Sequence, residues 1–421
     1  MASIEIKSFL IFLSYLAVPS CFSYKVRYDN YKLFRVTPSS PQAVEALREF
    51  EQADSPEYNF WSATGPVGKP VEIMVSPNKV SELQHIAESM GMPSKVMADN
   101  VQERIDAEER PRTRNGFGWT RYNTLDEINN WLRSLPKLYP SAVSLIELNG
   151  TYEGRTILGV KVSYGTSKRK KSVFVESNIH AREWISSATT TYILNQLLTS
   201  TNSSLRKLAE DHIWYFFPVF NPDGFEYSHT TDRMWRKTRV PHNILCTGAD
   251  PNRNWDNFWN VSGGSSDSPC SELYRGPKPF SEPCTKTLSE FIKTVGSELV
   301  AYISFHSFSQ VLLIPYGHTF EHLDNYDRIY YIGLKAADAL FERYGTLYKV
   351  GLINDVMYKA TGVSADWVKG VFKTPIVLTY ELRDTGVYGF QLPPELIIPT
   401  CEETLDSFVV IFEEYYKTIK A

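Results

Sequence analysis

The strongest constraint on the fold is an alternation of apolar runs and longer helical patterns that begins after Gly116. Such alternation predicts a mixed, mostly parallel twisted sheet with helices on both faces, an α/β fold. In sheets of this kind, ligands bind beyond the carboxyl ends of the strands. Polar residues at those ends are therefore the candidates for a functional site. The predicted strands are "VSLIELNG", "TILGVKVSYG", "KSVFVESN", "IWYFFPVFN", "LVAYISFHSF" and "TPIVLTYEL".

A smaller unit precedes this sheet. From Tyr24 to about Asp99 the pattern is strand, helix, strand, strand, helix, strand, which predicts a small ferredoxin-like α+β domain. Ser40 and Pro41 are typical of the N-cap and first residue of its first helix. A charged helical stretch follows and leads into a linker where arginines stand beside Pro and Gly. An exposed linker of this kind is open to a trypsin-like protease, and the candidate cleavage residues are Arg110, Arg112 and Arg114.

The N-terminus has the pattern of a secretion signal. Lys7 is the only basic residue before the apolar run "SFLIFLSYLAV", and small residues follow at Cys21 and Ser23. That run is long enough for a signal core and too short to span a bilayer. We therefore predict a signal peptide over residues 1–23 and a secreted, extracellular protein. We predict no membrane span elsewhere, and a net charge of −4 gives no general attraction to nucleic acid.

The cysteine count agrees with secretion. Removal of the signal peptide leaves four cysteines, an even number that suggests disulfides, and four cysteines allow three pairings. Three Asn-x-Ser/Thr sequons add potential glycan sites. The cysteines are Cys246, Cys270, Cys284 and Cys401, and the sequons begin at Asn149, Asn202 and Asn260.

Two side chains that bind metals stand three residues apart just after the run "SVFVESN", namely His180 and Glu183. The spacing alone selects nothing, because His85, His229 and His318 also have an acid three residues later. His85 lies on a predicted helix with no third ligand nearby. His318 follows a strand-like run, so its position does not exclude it, but suitable groups are missing around it.

Position at the end of a predicted strand, rather than spacing to an acid, distinguishes the candidate site residues. His180, Asn221, His306 and Glu381 all stand at or just beyond the ends of predicted strands, so they can converge on one crevice. Zinc in a hydrolase takes three protein ligands of the His and carboxylate type and keeps one position open for water. A set of two His and one Glu, from His180, Glu183 and His306, would meet that requirement.

Four further motifs surround these residues: "MWRKTR", "DPNRNW", "VMYKATG" and "TYELRDTG". In order and spacing, the chain from about Tyr24 to its end resembles the secreted zinc metallocarboxypeptidases of the pancreatic A/B type in proenzyme form. The resemblance implies an activation pro-segment over residues 24–114 and a catalytic domain over residues 115–421. It also implies one Zn²⁺ per chain, bound by His180, Glu183 and His306.

The resemblance assigns roles in catalysis to three residues. Asp250 would hydrogen-bond the ligand His180, a usual arrangement around metals. Glu381 would be the catalytic glutamate, and Arg236 would polarise the scissile carbonyl. Zinc lowers the pKa of bound water to roughly 7, and a carboxylate within reach can move that water's proton to the leaving amine.

The resemblance also assigns residues that bind the substrate. Asn252 and Arg253 would bind its terminal carboxylate, which a guanidinium can hold through both oxygens, and Tyr358 would close over it. Arg182 would contact the substrate further from the cut, and Phe390 would line a pocket. Binding the free carboxylate would restrict cleavage to the last residue of a peptide.

Specificity in this family depends largely on one residue at the pocket floor, which is Ala365 in "TGVSADW". B-type enzymes have an aspartate there, and burying a substrate cation without such a partner is costly. We therefore predict an A-type preference for aliphatic or aromatic C-terminal residues. Val363, where the family often has glycine, would narrow one wall, and Phe308 replaces a tyrosine found in many relatives.

The resemblance pairs Cys246 with Cys270 and leaves Cys284 and Cys401 available for a second bridge. Expected partners are peptide C-termini as substrate, the pro-segment as inhibitor and an activating trypsin-like protease, with the enzyme as a monomer. The alternatives are a B-type carboxypeptidase that removes C-terminal Lys or Arg, and an inactive homologue that binds peptides. A storage or structural protein would explain none of the motifs.

Overall fold

The computed structural model describes residues 25–52, 55–108, 116–165 and 171–420. The predicted signal peptide and the linker residues Arg110, Arg112 and Arg114 lie outside these ranges. The described residues form two separate sheets, one in an N-terminal domain and one in a larger C-terminal domain. Among them, no helix combines the length and apolar character needed to cross a membrane.

The N-terminal domain has the predicted order of elements. Its four strands pair antiparallel in the order β2-β3-β1-β4, as in a ferredoxin-like domain. Ser40 Oγ accepts a hydrogen bond from the backbone N–H of Ala43 at 3.1 Å, which is the predicted helix cap. The elements are β1 (Lys32–Val36), α1 (Pro41–Gln52), β2 (Tyr58–Phe60), β3 (Val71–Val75), α2 (Val80–Ser89), β4 (Ser94–Ala98) and α3 (Val101–Glu108).

Both faces of the small sheet are buried, one against the domain's own helices and the other against the C-terminal domain. Alternate residues of a strand point to opposite faces. On β1, Phe34 and Val36 therefore pack under the two helices, whereas Leu33 faces the C-terminal domain. Met74 of β3 lies with Leu33 in a cluster that contains Phe308 and Phe390 of the larger domain. One face of the sheet is thus the domain's own core, and the other is an apolar interface.

The C-terminal domain begins with α4 (Leu125–Leu138). Thr124 and Glu127 form a capping box at its start, at 3.3 Å and 2.9 Å. The elements that follow are β5 (Val143–Asn149), β6 (Thr156–Ser163), β7 (Ser172–Ser177), α5 (Trp184–Thr199), α6 (Ser203–Asp211), β8 (Ile213–Phe217), α7 (Pro222–Thr230), α8 (Pro283–Val295), β9 (Leu299–Ser307), β10 (Val311–Ile314), α9 (Tyr326–Tyr344), β11 (Lys349–Leu352), α10 (Ile353–Val356), α11 (Ser364–Phe372), β12 (Ile376–Leu382) and α12 (Ile397–Lys420).

The large sheet has the order β11-β10-β12-β9-β7-β8-β6-β5. Its centre, β12-β9-β7-β8, is parallel, while β6 and β5 are antiparallel at one edge and β10 runs antiparallel to β12. The predicted α/β class is confirmed, and all six predicted strands are present. Two strands of four residues were not among the six: β10 belongs to the strand-like run before His318, and β11 is too short to show a clear periodicity. The short helices α6, α7, α10 and α11 were also not predicted.

Helices cover both faces of this sheet, and each face has its own apolar core. Cys401 of α12 belongs to one core, and Cys284 of α8 belongs to the other. Both are buried free thiols, so the second bridge considered from the sequence does not form: the sheet separates the two residues. Cys246 and Cys270 are joined by a disulfide.

Candidate active site

The turn between β7 and α5 carries two of the candidate metal ligands, His180 and Glu183. Asn178 starts this turn with φ 51°, a left-handed conformation that asparagine tolerates better than most residues. Its Nδ2 donates to the carbonyl oxygens of His180 (3.3 Å) and Glu183 (3.0 Å). Ser186 Oγ donates to the same Glu183 carbonyl at 2.6 Å. The turn is therefore fixed by buried side chains on both sides.

His306, near the end of the adjacent strand β9, completes the group. Among the described residues, His180, Glu183 and His306 are the cluster whose side chains could hold a metal, with ligand atoms within 4.8 Å of one another. His180 Nδ1 lies 2.7 Å from Glu183 Oε1, and His306 Nδ1 lies 3.1 Å from Glu183 Oε2. All three residues are buried.

The distances fit a tetrahedral zinc site. The Nδ1 atoms of His180 and His306 are 3.2 Å apart. Two zinc–nitrogen bonds of about 2.0–2.1 Å at a tetrahedral angle place their nitrogens about 3.3 Å apart. Glu183 is held as a carboxylate: burial opposes its ionisation, but His180 and His306 bring its pKa well below the ordinary range. The donor set therefore fits zinc in charge and in spacing.

Asp250 lies behind His180 and joins it to Arg236. Its Oδ1 is 3.1 Å from His180 Nε2, and its Oδ2 accepts from Arg236 Nη2 at 2.7 Å. Asp250 is fully buried. Burial opposes ionisation of this carboxyl, but Arg236 and His180 hold its pKa well below its usual value. Asp250 therefore orients both a candidate ligand and the arginine beside it.

Glu381 of β12 faces the same cluster, because it pairs with His306 across the two strands. Its carboxyl group is half-buried. Burial raises the pKa of Glu381 to about 8, with Glu183 adding to the shift and His306 opposing it. A carboxyl group with a pKa in this range can both accept and release a proton near neutral pH.

A cavity of about 40 Å³ lies beside these residues. Asn252, Arg253 and Tyr358 line it on one side. Arg253 Nη1 donates to the carbonyl of Asn252 at 2.8 Å, while its Nε and Nη2 are buried with no partner in the part of the chain that the structure describes. Two unpaired guanidinium nitrogens suit a carboxylate. The apolar lining residues of the cavity are Leu313, Ile353, Met357, Ala360, Val363 and Ala365.

Arg182 and Phe390 lie elsewhere, under the N-terminal domain. Arg182 Nη1 donates to Asn59 Oδ1 at 3.0 Å, and its guanidinium stacks on Phe390 at 4.2 Å. Phe390 contacts Trp61 (5.3 Å) and Phe308 (5.0 Å) rather than the small cavity. Phe308, where many relatives have tyrosine, therefore lies in an apolar interface.

Sequence reasoning missed the contacts that hold the N-terminal domain over this region. Lys69 donates to the carbonyl oxygens of Val356 (2.9 Å) and Met357, immediately before Tyr358. Glu108, at the end of α3, forms a buried ion pair with Arg233 at 2.8 Å. These charged residues gave no signal in the sequence, because their partners are distant in the chain.

The other histidines do not join the metal cluster. His85 is exposed on α2. His229 stacks on Trp184 with ring centres 3.8 Å apart, and His318 Nδ1 lies 3.0 Å from Asp366 Oδ2. Position in the fold, and not spacing to an acid, separates His180 from these three.

Comparison with known proteins agrees with this geometry. Residues 128–407 match the family described as zinc carboxypeptidase, and residues 34–108 match the carboxypeptidase activation peptide. The chain belongs to the zinc carboxypeptidase family. It is thus an enzyme, a zinc-dependent peptide hydrolase, and the resemblance seen in the sequence is confirmed. The N-terminal domain, which contains residues 34–108, therefore corresponds to the activation peptide, the pro-segment that inhibits the enzyme.

Individual relatives cover most of the chain. It is 44% identical over 394 residues to zinc carboxypeptidase A 1 of Anopheles gambiae, covering 92% of this chain and 90% of that protein. It is 41% identical over 295 residues to carboxypeptidase B of Astacus astacus, covering 70% and 96%. The crystal structure of carboxypeptidase A from Helicoverpa armigera aligns with a TM-score of 0.85 at 27% identity, covering 94% of this chain and all of that one.

Proposed function

We propose that this carboxypeptidase is a secreted zymogen that, once activated, removes aliphatic or aromatic residues from peptide C-termini. One observation carries the proposal. The small cavity is lined by His180 and His306 of the metal cluster, by Glu381, by Arg253 with its two unpaired nitrogens, and by an apolar wall. The C-terminal residue of a peptide has a free carboxylate that can bind the Arg253 nitrogens and a side chain that can pack against the apolar wall.

The chain's own residues then have defined tasks. Arg253 and Asn252 bind the terminal carboxylate, and Tyr358 closes the cavity over it. Arg236, held by Asp250, directs a guanidinium at the scissile carbonyl oxygen, where negative charge develops. Glu381 takes a proton from the attacking water and gives it to the leaving amine. Zinc bound by His180, Glu183 and His306 would supply hydroxide at neutral pH.

Ala365 supports the A-type preference. It is buried at the cavity wall among Leu313, Met357 and Val363. None of these side chains can pair with the ammonium or guanidinium of a basic substrate residue, so a lysine or arginine would lose its hydration without compensation. An aliphatic or aromatic side chain gains by burial instead, about 25 cal/mol per Å² of apolar surface.

The test is a substrate panel. The full chain, treated with trypsin, is assayed on peptides that differ only in a C-terminal Phe, Leu, Arg or Glu, with and without a chelator. We expect the highest kcat/KM for Phe or Leu, no activity with the chelator, and little activity before trypsin. Arg as the best substrate would establish the B-type alternative, and inactivity of protein that binds zinc would overturn the proposed catalytic function.

A matched variant tests the role of the pocket floor. Ala365→Asp places a carboxylate where B-type relatives have one, so kcat/KM for the Arg peptide should rise while that for Phe falls. The companion variant Ala365→Ser changes the size of the floor by one atom and adds no charge. If both variants keep the wild-type ranking of substrates, position 365 does not set the specificity.

The remaining parts of the proposal concern processing. We propose removal of residues 1–23 on secretion, and release of a pro-segment over residues 24–114 by a trypsin-like protease that cuts at Arg110, Arg112 or Arg114. N-terminal sequencing of the product after trypsin treatment identifies the bond. The active enzyme, over residues 115–421, is proposed to be a monomer that binds one Zn²⁺.

A further inference from the structure

Glu176 is a buried carboxylate that the proposed mechanism does not use. It lies on β7, two residues before the strand leads into the turn that bears His180, and it is fully buried. Its Oε1 accepts hydrogen bonds from Tyr302 (3.1 Å) and from Ser304, both on β9. Its Oε2 is buried and has no partner among the described residues. An unpaired oxygen on a buried carboxyl group is unfavourable unless a hydrogen-bond partner satisfies it.

A matching donor lies on the same face of the sheet. Tyr302, Ser304 and His306 alternate along β9, so their side chains share one face. The hydrogen bonds to Tyr302 and Ser304 put the Glu176 carboxylate on that face as well. Glu176 pairs with Ser304 across the two strands, and His306 is the next residue on that face towards the metal cluster.

His306 has an unmatched atom of its own. Its Nδ1 faces Glu183 and His180 in the metal cluster, while its Nε2 is buried without a partner among the described residues. The two candidate histidine ligands therefore differ, because Nε2 of His180 already has Asp250 at 3.1 Å. Histidines that bind metals nearly always donate their second ring N–H to a carboxylate, a carbonyl or a water.

We propose that Glu176 is a positioning residue for the metal site, and that one buried water carries the hydrogen bond from His306 Nε2–H to Glu176 Oε2. The two atoms form no direct hydrogen bond with each other, and a single bridging water would satisfy both. It fixes the tautomer of His306 that leaves Nδ1 free to bind zinc, and it holds the ring in place. This inference rests on the proposed zinc site.

The decisive variant is Glu176→Gln in the full-length zymogen. Tyr302 and Ser304 donate hydrogens, so they retain the amide oxygen at the Oε1 position and turn the NH₂ group towards His306. That group cannot accept the hydrogen bond that the water donates to Oε2, and the substitution also removes the negative charge that the carboxylate can carry. We expect zinc affinity, measured on the apoprotein by competition with a chromophoric chelator, to fall 10–100-fold. The visible spectrum of the Co²⁺-substituted protein should also change, because it reports ligand geometry.

Two controls separate this role from a packing role. Tyr302→Phe removes a hydrogen bond from the other oxygen of Glu176, and it should leave zinc affinity and the Co²⁺ spectrum nearly unchanged. Glu176→Asp restores a carboxylate on a shorter side chain and should recover part of the affinity lost in Glu176→Gln. Circular dichroism of each apoprotein checks the fold, and the Asp variant carries the test if the Gln variant does not fold.

The outcomes distinguish this inference from the proposed function. Wild-type protein that binds no zinc would overturn both. Wild-type protein that binds zinc, together with a folded Glu176→Gln variant of unchanged affinity and unchanged Co²⁺ spectrum, would overturn the role of Glu176 alone. Equal losses in Glu176→Gln and Tyr302→Phe would show that Glu176 acts through packing, which also overturns the inference.

Discussion

At the scale of single residues, the site combines carboxylates with opposite behaviour. His180 and His306 hold Glu183 ionised, and Arg236 with His180 holds Asp250 ionised, whereas burial raises the pKa of Glu381 to about 8. The first two fix geometry, and the third is left able to exchange a proton. Carboxyl groups whose surroundings drive their pKa values apart take different chemical roles.

The role of Glu381 gives the first prediction. Glu381→Gln keeps the shape of the side chain but removes its ability to accept the proton, so kcat should fall about 10²–10⁴-fold while KM changes little. Zinc content should stay at the wild-type level, because Glu381 is not in the ligand cluster. Steady-state kinetics on the trypsin-treated protein measures both constants. A loss below tenfold would remove Glu381 from the chemistry.

A second residue-level prediction concerns acid stability. Burial, with Arg233 and Lys25 adding to it, lowers the pKa of His229 to about 3. The unfolded chain binds a proton at this histidine as the pH falls through about 6.5, whereas the folded chain does not bind one until about pH 3. Protonation therefore favours unfolding in this range: the free energy of unfolding is unaffected above pH 6.5 and decreases as the pH falls from 6.5 towards 3. The loss is at most about 1.4 kcal/mol per pH unit.

His229→Phe keeps the stack on Trp184 without a titrating group. Urea unfolding at a series of pH values, with chelator present so that metal release does not contribute, should show a shallower decline below pH 6.5 than in the wild type. His85→Phe, at an exposed position on α2, serves as the control and should follow the wild type. Parallel curves for His229→Phe and wild type would reject the role of His229.

At the scale of elements, the loop between β2 and β3 of the pro-segment is joined to the loop before Tyr358. Lys69 donates to the carbonyls of Val356 and Met357, and its ammonium lies 5.7 Å from the Tyr358 ring centre. Burial lowers the pKa of Lys69 to about 8. The pro-segment thus contacts the proposed substrate-binding tyrosine from one side.

Lys69→Met should loosen this contact. It leaves two half-buried carbonyl oxygens without their donor, at a cost of about 1–3 kcal/mol. We expect the untreated zymogen to hydrolyse a small substrate several-fold faster than wild type. After trypsin the two proteins should have equal kcat/KM, because residue 69 leaves with the pro-segment. Unequal activity after trypsin, or unchanged activity before it, would contradict this account.

At the scale of the whole molecule, the two domains share an apolar cluster, and a buried ion pair lies at its edge. Glu108 and Arg233 have side chains that are 2% and 3% exposed. Arg233 also stacks on Trp184 at 3.7 Å. Breaking a buried pair by removing one partner leaves an uncompensated charge and typically costs about 3–5 kcal/mol.

Glu108→Ala should therefore destabilise the zymogen but not the activated enzyme. We expect calorimetry to show a lower Tm for the mutant zymogen than for wild type, and the same Tm for the two enzymes after trypsin treatment. Glu103→Ala is the matched control, since Glu103 is an exposed acid of the same helix. Equal Tm values for the mutant and wild-type zymogens would show that the ion pair adds nothing to docking.

The sequence by itself determined the class of fold, the order of most elements and the residue types of the site. The periodicity of helices and strands, and a helix cap such as Ser40, depend on residues only a few positions apart. The convergence of the motifs around His180, His306 and Glu381 could also be predicted, because parallel strands bring their carboxyl ends to one edge of the sheet.

Only the tertiary structure decided which distant groups meet. Lys69 and Val356 are 287 residues apart in the chain, and no local pattern connects them. The separation of Cys284 from Cys401, the pairing of β10 and β11, and the meeting of Glu176 with Tyr302 and Ser304 depend likewise on how whole elements pack. The physical reason is that local preferences act over a few residues, whereas these contacts form only once the sheet and its two cores exist.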